Sequence, residues 1–282
     1  MAKIQAVRKS IRIKFVRHAE SRNNEVYAEA GKKFHWGAPT FDQKGWIDYV
    51  NAHRDADPGL SRRGEEQAEH LGEYLSKVLE KEGSSPTYVI TSPMRRTIKT
   101  VIPTIRKIVN QTDNVYDDDR VRCKILVHAQ YFEVEGCHVK NIPEPGMNQK
   151  EITEFIHGER VKKENVTMNF VGFQNEESGW YCHGKGVENR VEAENRSTQF
   201  YMWFCDWLDE QIKDEAEDIF DAAAAAKMEK APNRGRRTIL IVGHGEFMGY
   251  ILRRIVCGFG HSMESYEGIP HRSTFVHFNT GK

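Results

Sequence analysis

Three short segments of this sequence combine imidazole, guanidinium and hydroxyl groups at positions where strands would end and helices begin. The first is Arg17-His18-Ala19-Glu20-Ser21, with Asn24 close behind; the second is Ser92-Pro93-Met94-Arg95-Arg96-Thr97; the third is Gly243-His244-Gly245-Glu246. A neutral imidazole can act as nucleophile, acid or base near neutral pH. The planar fork of arginine suits an oxyanion such as phosphate. Converged on one spot, these segments bring together two histidines and two or three arginines, which is an anion pocket. The chain has 41 Lys+Arg against 41 Asp+Glu, a formal charge of zero. The positive field must therefore be local, and no overall charge draws the protein to nucleic acid or an anionic membrane.

The elements that would position these segments can be read from periodicity. Ile11–Val16, Thr87–Thr91, Lys124–Val127 and Thr238–Val242 are short β-branched or apolar runs and predict strands. Asp57-Pro58-Gly59 marks a turn, after which Ser61 can cap a helix whose apolar face carries Ala68, Leu71, Leu75, Val78 and Leu79, ending at Gly83. Ser92-Pro93 predicts a second helix start, with the hydroxyl as cap and proline in the first turn. Its face runs through Met94, Ile98, Val101, Ile102 and Ile105, and Pro103 should kink or break it. A long helix or two is expected from Arg190 to about Lys230, with the alanine run Ala222–Ala226 near its end. A loop at Pro232–Gly235 and a last strand at Ser273–Phe278 complete the pattern. Strands alternating with helices imply an α/β fold with a largely parallel sheet, in which ligands gather beyond the carboxyl ends of strands. The expectation is one domain over 1–282, with the weakly patterned stretch 135–190 as an insertion or cap.

The motifs resemble those of a known family. Arg-His-x-Glu-Ser-x-x-Asn after an N-terminal strand, Asp57 to Ala68 as Asp-Pro-Gly-Leu-Ser-Arg-Arg-Gly-Glu-Glu-Gln-Ala, Ser-Pro-x-x-Arg, and Gly-His-Gly after a late strand are similar to the histidine phosphatase superfamily. That superfamily is also called phosphoglycerate mutase-like. The resemblance implies a three-layer α/β/α sandwich and a phosphomonoesterase that works through a phosphohistidine, without metal or other cofactor. By position it makes His18 the nucleophile and His244 a second catalytic histidine. Arg17, Arg96, Ser21 and Asn24 become phosphate contacts. The proton donor should follow the third strand, where Tyr131-Phe132-Glu133-Val134-Glu135-Gly136 offers Glu133 first and Glu135 second. Ala19 stands where the family has glycine, which touches loop geometry rather than chemistry. Arg95 beside Arg96 is ambiguous, with the spacing from Ser92 favouring Arg96.

The expected partner is a phosphorylated small molecule or phosphoprotein, with no nucleic acid or membrane. Two rival functions stay open: a phosphoglycerate mutase-type transfer, and a catalytically weak phosphate- or phosphopeptide-binding module. Gly45-Trp46-Ile47-Asp48 only partly echoes the mutase pattern. No apolar run reaches the ~20 residues that span a bilayer, and no apolar stretch follows the basic N-terminus. The five scattered cysteines suit reduced thiols, so a cytoplasmic location is expected. Cys137-His138 and Cys182-His183 lack zinc-ligand spacing. The short tracts Asp117–Asp119 and Asn233–Arg237 read as solvated loops. The aromatics Phe34, Trp36, Phe41, Trp46 and Tyr49 fit either a lid over the substrate or a cover for the core, whereas Trp203, Phe204 and Trp207 have helical core spacing.

Overall fold

A computed structural model describes residues 11–82, 87–110, 123–161, 163–181, 186–217 and 238–257. The expected strand at 273–278, the alanine run, the loop at 232–235, both charged tracts, Gly83, and Cys182 with His183 lie outside these residues.

The main sheet contains β1 (Arg12–Arg17), β2 (Thr87–Thr91), β3 (Cys123–His128), β6 (Val166–Val171) and β7 (Thr238–Gly243). Its order is β1-β7-β2-β3-β6, and every neighbouring pair is parallel. A hairpin of β4 (His138–Val139) and β5 (Ile142–Pro143) stands apart from it. The helices are α1 (Arg22–Lys33), α2 (Gln43–His53), α3 (Arg62–Glu82), α4 (Arg95–Asn110), α5 (Gln149–Gly158), α6 (Arg190–Glu217) and α7 (Gly245–Cys257). Among the described residues, no helix is long and apolar enough to cross a membrane.

Strand alternation sorts the core into two layers. Val89, Ile125, Val127, Leu240 and Val242 pack with Leu75 and Leu79 of α3 and with Met94, Ile98, Val101 and Ile105 on the α4 side. The intervening residues Tyr88, Ile90, Leu126, Ile239 and Ile241 pack with Phe200 and Phe204 of α6 and Phe247, Met248 and Ile251 of α7. The molecule is therefore the expected three-layer α/β/α sandwich. All six residues of β7 are buried, which explains its nearly continuous apolar sequence. Trp203 and Trp207 flank the second layer, partly buried against it.

Several sequence expectations are corrected in detail. Helix α4 begins at Arg95 rather than at Ser92-Pro93. Pro103 lies inside α4 without ending it, packed where α3 comes close. A Cβ added at Gly72 of α3 would lie 2.8 Å from the Pro103 Cβ, so the glycine makes room for the ring. Within 135–190 the chain forms the β4–β5 hairpin, α5 and β6. Strand β6, unpredicted from sequence, pairs with β3 as the outer strand of the main sheet. Its sequence, Val-Thr-Met-Asn-Phe-Val, is too mixed to announce itself without its partner.

Candidate active site

Three neighbouring strands, β1, β7 and β2, end at one place because their register is aligned. Arg17 pairs with Gly243, and Thr91 with Val242. Each chain continues from there into the site: His18 after β1, His244 after β7 and Ser92 after β2. The backbone N–H of His18 donates to the Gly243 carbonyl at 2.9 Å, which ties the first two together. Gly243 also faces the ring of the fully buried Tyr131, and a Cβ there would overlap that ring.

The two imidazoles stand with centroids 5.3 Å apart. His18 Nδ1 lies 2.6 Å from the Ala19 carbonyl, an acceptor only, so Nδ1 carries the proton. The lone pair is thereby left on Nε2, where Arg96 Nε donates at 3.3 Å. Ala19 avoids the left-handed region, which accommodates its Cβ, and its N–H donates to Thr100 Oγ1 at 2.9 Å. Burial, followed by the charge of Arg96, pushes the pKa of His18 well below the ordinary imidazole value. The same two causes, in the same order, lower His244.

His244 is fully buried, with Nε2 2.8 Å from Ser92 Oγ. Its Nδ1 is buried without a hydrogen-bond partner among the described residues. Arg96 is buried, and the carboxylates of Asp57 and Glu133 both act on its charge. Arg95 turns away, its guanidinium 5.6 Å from the Phe155 ring centroid. Arg17 is exposed at the end of β1.

Glu133 sits against the start of α7. Its Oε1 accepts from the backbone N–H of Phe247 at 3.1 Å and of Val134 at 3.0 Å, and its Oε2 from that of Glu246 at 3.4 Å. Burial raises its pKa in spite of the opposing charge of Arg96. Glu135 is exposed, with φ at 74°, and its Oε2 lies 3.5 Å from His138 Nε2. The structure thus brings His18, Arg96, His244 and Glu133 together and leaves Glu135 exposed beside His138.

Ser21 and Asn24 form the capping box of α1. Asn24 Oδ1 accepts from Ser21 N–H and Oγ–H, both at 3.0 Å, while Ser21 Oγ accepts from Asn24 N–H at 3.3 Å. Capping uses only the oxygen of the Asn24 amide.

Sequence reading missed the side chains behind these groups. Thr100, one turn after Arg96, holds Ala19. Asp57, read as a turn residue, accepts from Arg95 N–H at 3.0 Å, and burial raises its carboxyl to about 6. Glu188 and Arg196 form a buried pair behind Glu133. The spacing of Thr100 on the face of Arg96 was a usable signal; the other two depend on contacts across distant segments. The aromatics after the first motif stack on one another, Tyr27 on Trp46 and Trp36 against Phe41 and Trp46. Trp36 is 58% exposed. Among the described residues no group of His, Cys, Asp and Glu could hold a metal ion.

A comparison with protein-family models adds one match. Residues 43–119 match the histidine phosphatase superfamily, branch 1. This is the superfamily that the motifs resemble. The matched segment carries the Asp57–Ala68 and Ser92–Arg96 motifs, while His18, Glu133 and His244 lie outside it and rest on geometry. No curated protein matches the sequence. Among solved structures, the chain is similar to the ecdysone phosphate phosphatase of Bombix mori in complex with tungstate. Identity is 19% and the TM-score 0.41, over 85% of this chain and 75% of that one. It is also similar to the product of an open reading frame of Mycobacterium tuberculosis, with 17% identity and a TM-score of 0.33 over 87% of this chain and 80% of that one.

Proposed function

We propose that this chain is a metal-independent phosphomonoesterase acting through a phosphohistidine. The observation that carries the reading is the pairing at His18. Nδ1 is committed to the Ala19 carbonyl, and the free lone pair on Nε2 meets a buried arginine. A depressed pKa keeps that lone pair available, as a nucleophile requires.

In this reading Arg17, Arg96 and His244 bind the non-bridging oxygens of a phosphate monoester, with Ser21 and Asn24 at the edge of the pocket. The N–H that Arg96 offers to Nε2 passes to a phosphoryl oxygen when substrate enters. The Nε2 lone pair forms the N–P bond while the ester P–O bond breaks. Glu133, whose pKa burial raises, gives its proton to the leaving oxygen. Water then attacks the phosphohistidine and loses a proton to Glu133. The N–P bond breaks, and inorganic phosphate leaves. Charge spread over the transferring group is met by fixed cations and dipoles, the main source of catalysis in such transfers. The substrate is a phosphorylated small molecule or a phosphoprotein side chain.

The test is phosphate release from 4-nitrophenyl phosphate with chelator present, by wild type and by His18→Ala. Acid-quenched and alkali-quenched samples are also examined for an acid-labile, alkali-stable phosphoenzyme. Turnover that ignores chelator, with both turnover and phosphoenzyme lost in the variant, supports the proposal. Turnover without any phosphoenzyme dependent on His18 would sink it.

A further inference from the structure

Behind Glu133 lies a buried charged pair, Arg196 and Glu188. Arg196 of α6 is 6% exposed and Glu188 is 5% exposed. Their contact is a two-pronged fork, Nε to Oε1 and Nη2 to Oε2, each 2.6 Å. The remaining arm of the guanidinium, Nη1, donates to the carbonyls of Gln130 at 2.7 Å and Phe132 at 3.1 Å. Those are the carbonyls just before Glu133. The flat faces of the same group lie 3.5 Å from the Phe132 ring centroid and 4.0 Å from that of Phe247. Phe247 in turn is the residue whose backbone N–H holds Glu133 Oε1. On the other side, the Tyr181 hydroxyl donates to the Glu135 carbonyl and accepts from the Glu188 N–H, both at 3.2 Å. One guanidinium therefore grips both structures that locate the Glu133 carboxyl, the loop bearing it and the helix start receiving it.

A buried ion pair is seldom a net gain in stability over a well-packed apolar pair. A planar, five-donor group, however, can fix two carbonyls, a carboxylate and two rings at once, which no apolar side chain can do. We propose that Arg196, clamped by Glu188, is a positioning residue that sets where the Glu133 carboxyl stands relative to the phosphoryl site. The proposal rests on the reading of Glu133 as proton donor.

Proton donation matters most for a poor leaving group, so the test compares kcat/KM for phenyl phosphate and 4-nitrophenyl phosphate. The nitrophenolate leaves without help, whereas the phenolate needs the proton. Glu133→Gln calibrates the effect and should lower the phenyl-to-nitrophenyl ratio by about tenfold or more. Arg196→Met should move the ratio in the same direction by about tenfold, within the ~100-fold that a ~1 Å misplacement of a catalytic group can cost. Arg196→Lys keeps the charge without the fork and should fail to restore the ratio. Glu188→Gln, which loosens the clamp, should lower it by a smaller factor. Any unfolded fraction cancels in the ratio, and if Arg196→Met does not fold, the lysine and glutamine variants carry the same readout. Equal losses on both esters, or a normal ratio in Arg196→Lys, would overturn the inference while leaving Glu133 in its role. An unchanged ratio in Glu133→Gln would instead overturn the donor assignment and the positioning role with it.

Discussion

Ser92 Oγ lies 2.8 Å from His244 Nε2. The same oxygen accepts from the Met94 N–H at 3.3 Å and carries one proton, which we assign to the bond with the histidine. Nε2 then acts as acceptor and the imidazole proton sits on Nδ1, the buried nitrogen without a partner among the described residues. In this assignment the hydroxyl that reads as a helix cap in the sequence sets the tautomer, and with it a donor beside His18. Removing it with Ser92→Ala should lower kcat for 4-nitrophenyl phosphate about tenfold, the equivalent of one hydrogen bond of ~1.4 kcal/mol. A rate within twofold of wild type would show that the tautomer is set elsewhere.

The pKa shifts at His18 and Glu133 have opposite signs and the same leading cause, burial. The proposed phosphoryl transfer needs His18 neutral, a form lost as pH falls through its lowered pKa. It also needs Glu133 protonated, a form lost as pH rises through its raised pKa. The two shifts move these limits in the directions that favour a neutral imidazole beside a protonated carboxyl, the pairing that ordinary values oppose. A bell-shaped profile of kcat/KM for phenyl phosphate is expected, its acid limb set by His18 and its alkaline limb by Glu133. In Glu133→Gln the alkaline limb should disappear while the acid limb stays. Retention of the alkaline limb would assign it to another group.

Asp57 offers a stability test independent of catalysis. Its carboxyl is raised from 3.8 to about 6 by burial, so the folded state favours the protonated form. The stabilisation this gives is fully present below the unfolded value and is lost as pH rises through about 6. Asp57→Asn keeps an oxygen for the Arg95 N–H and removes the buried charge. Its stability relative to wild type should therefore improve between pH 4 and pH 7, by no more than about 3 kcal/mol. Denaturant unfolding at the two pH values checks this; a difference that does not change with pH would show that Arg96 neutralises the carboxylate in full.

Capping and phosphate contact can be separated at α1. Ser21→Ala should cost about 1 kcal/mol of stability by removing the cap. Asn24→Asp retains the accepting oxygen but replaces the amide donor with a second anionic oxygen. It should unfold within about 0.5 kcal/mol of wild type, yet raise KM for 4-nitrophenyl phosphate several-fold by charge repulsion. Unchanged KM and unchanged inhibition by phosphate would confine Asn24 to its capping role.

The chemistry-bearing residues were readable because they are local. An imidazole or guanidinium directly after a β-branched run lies at a strand end whatever the rest of the chain does, and the strands at Ile11, Thr87, Lys124 and Thr238 needed only short-range patterning. Proximity is another matter. That β7 runs between β1 and β2, so that His244 faces His18 and reaches Ser92, is a property of sheet order, which no local propensity encodes. Strand β6 stayed hidden because its mixed sequence gains strand character only from pairing with β3. The break that Pro103 suggests does not occur, and the space that Gly72 gives its ring comes from another helix. What separates Glu133 from Glu135, close in sequence and alike in type, is contact with the N-terminal amides of α7 and with Arg196, both far along the chain. Residue types determined what chemistry was possible, and packing across distant segments determined which groups meet to perform it.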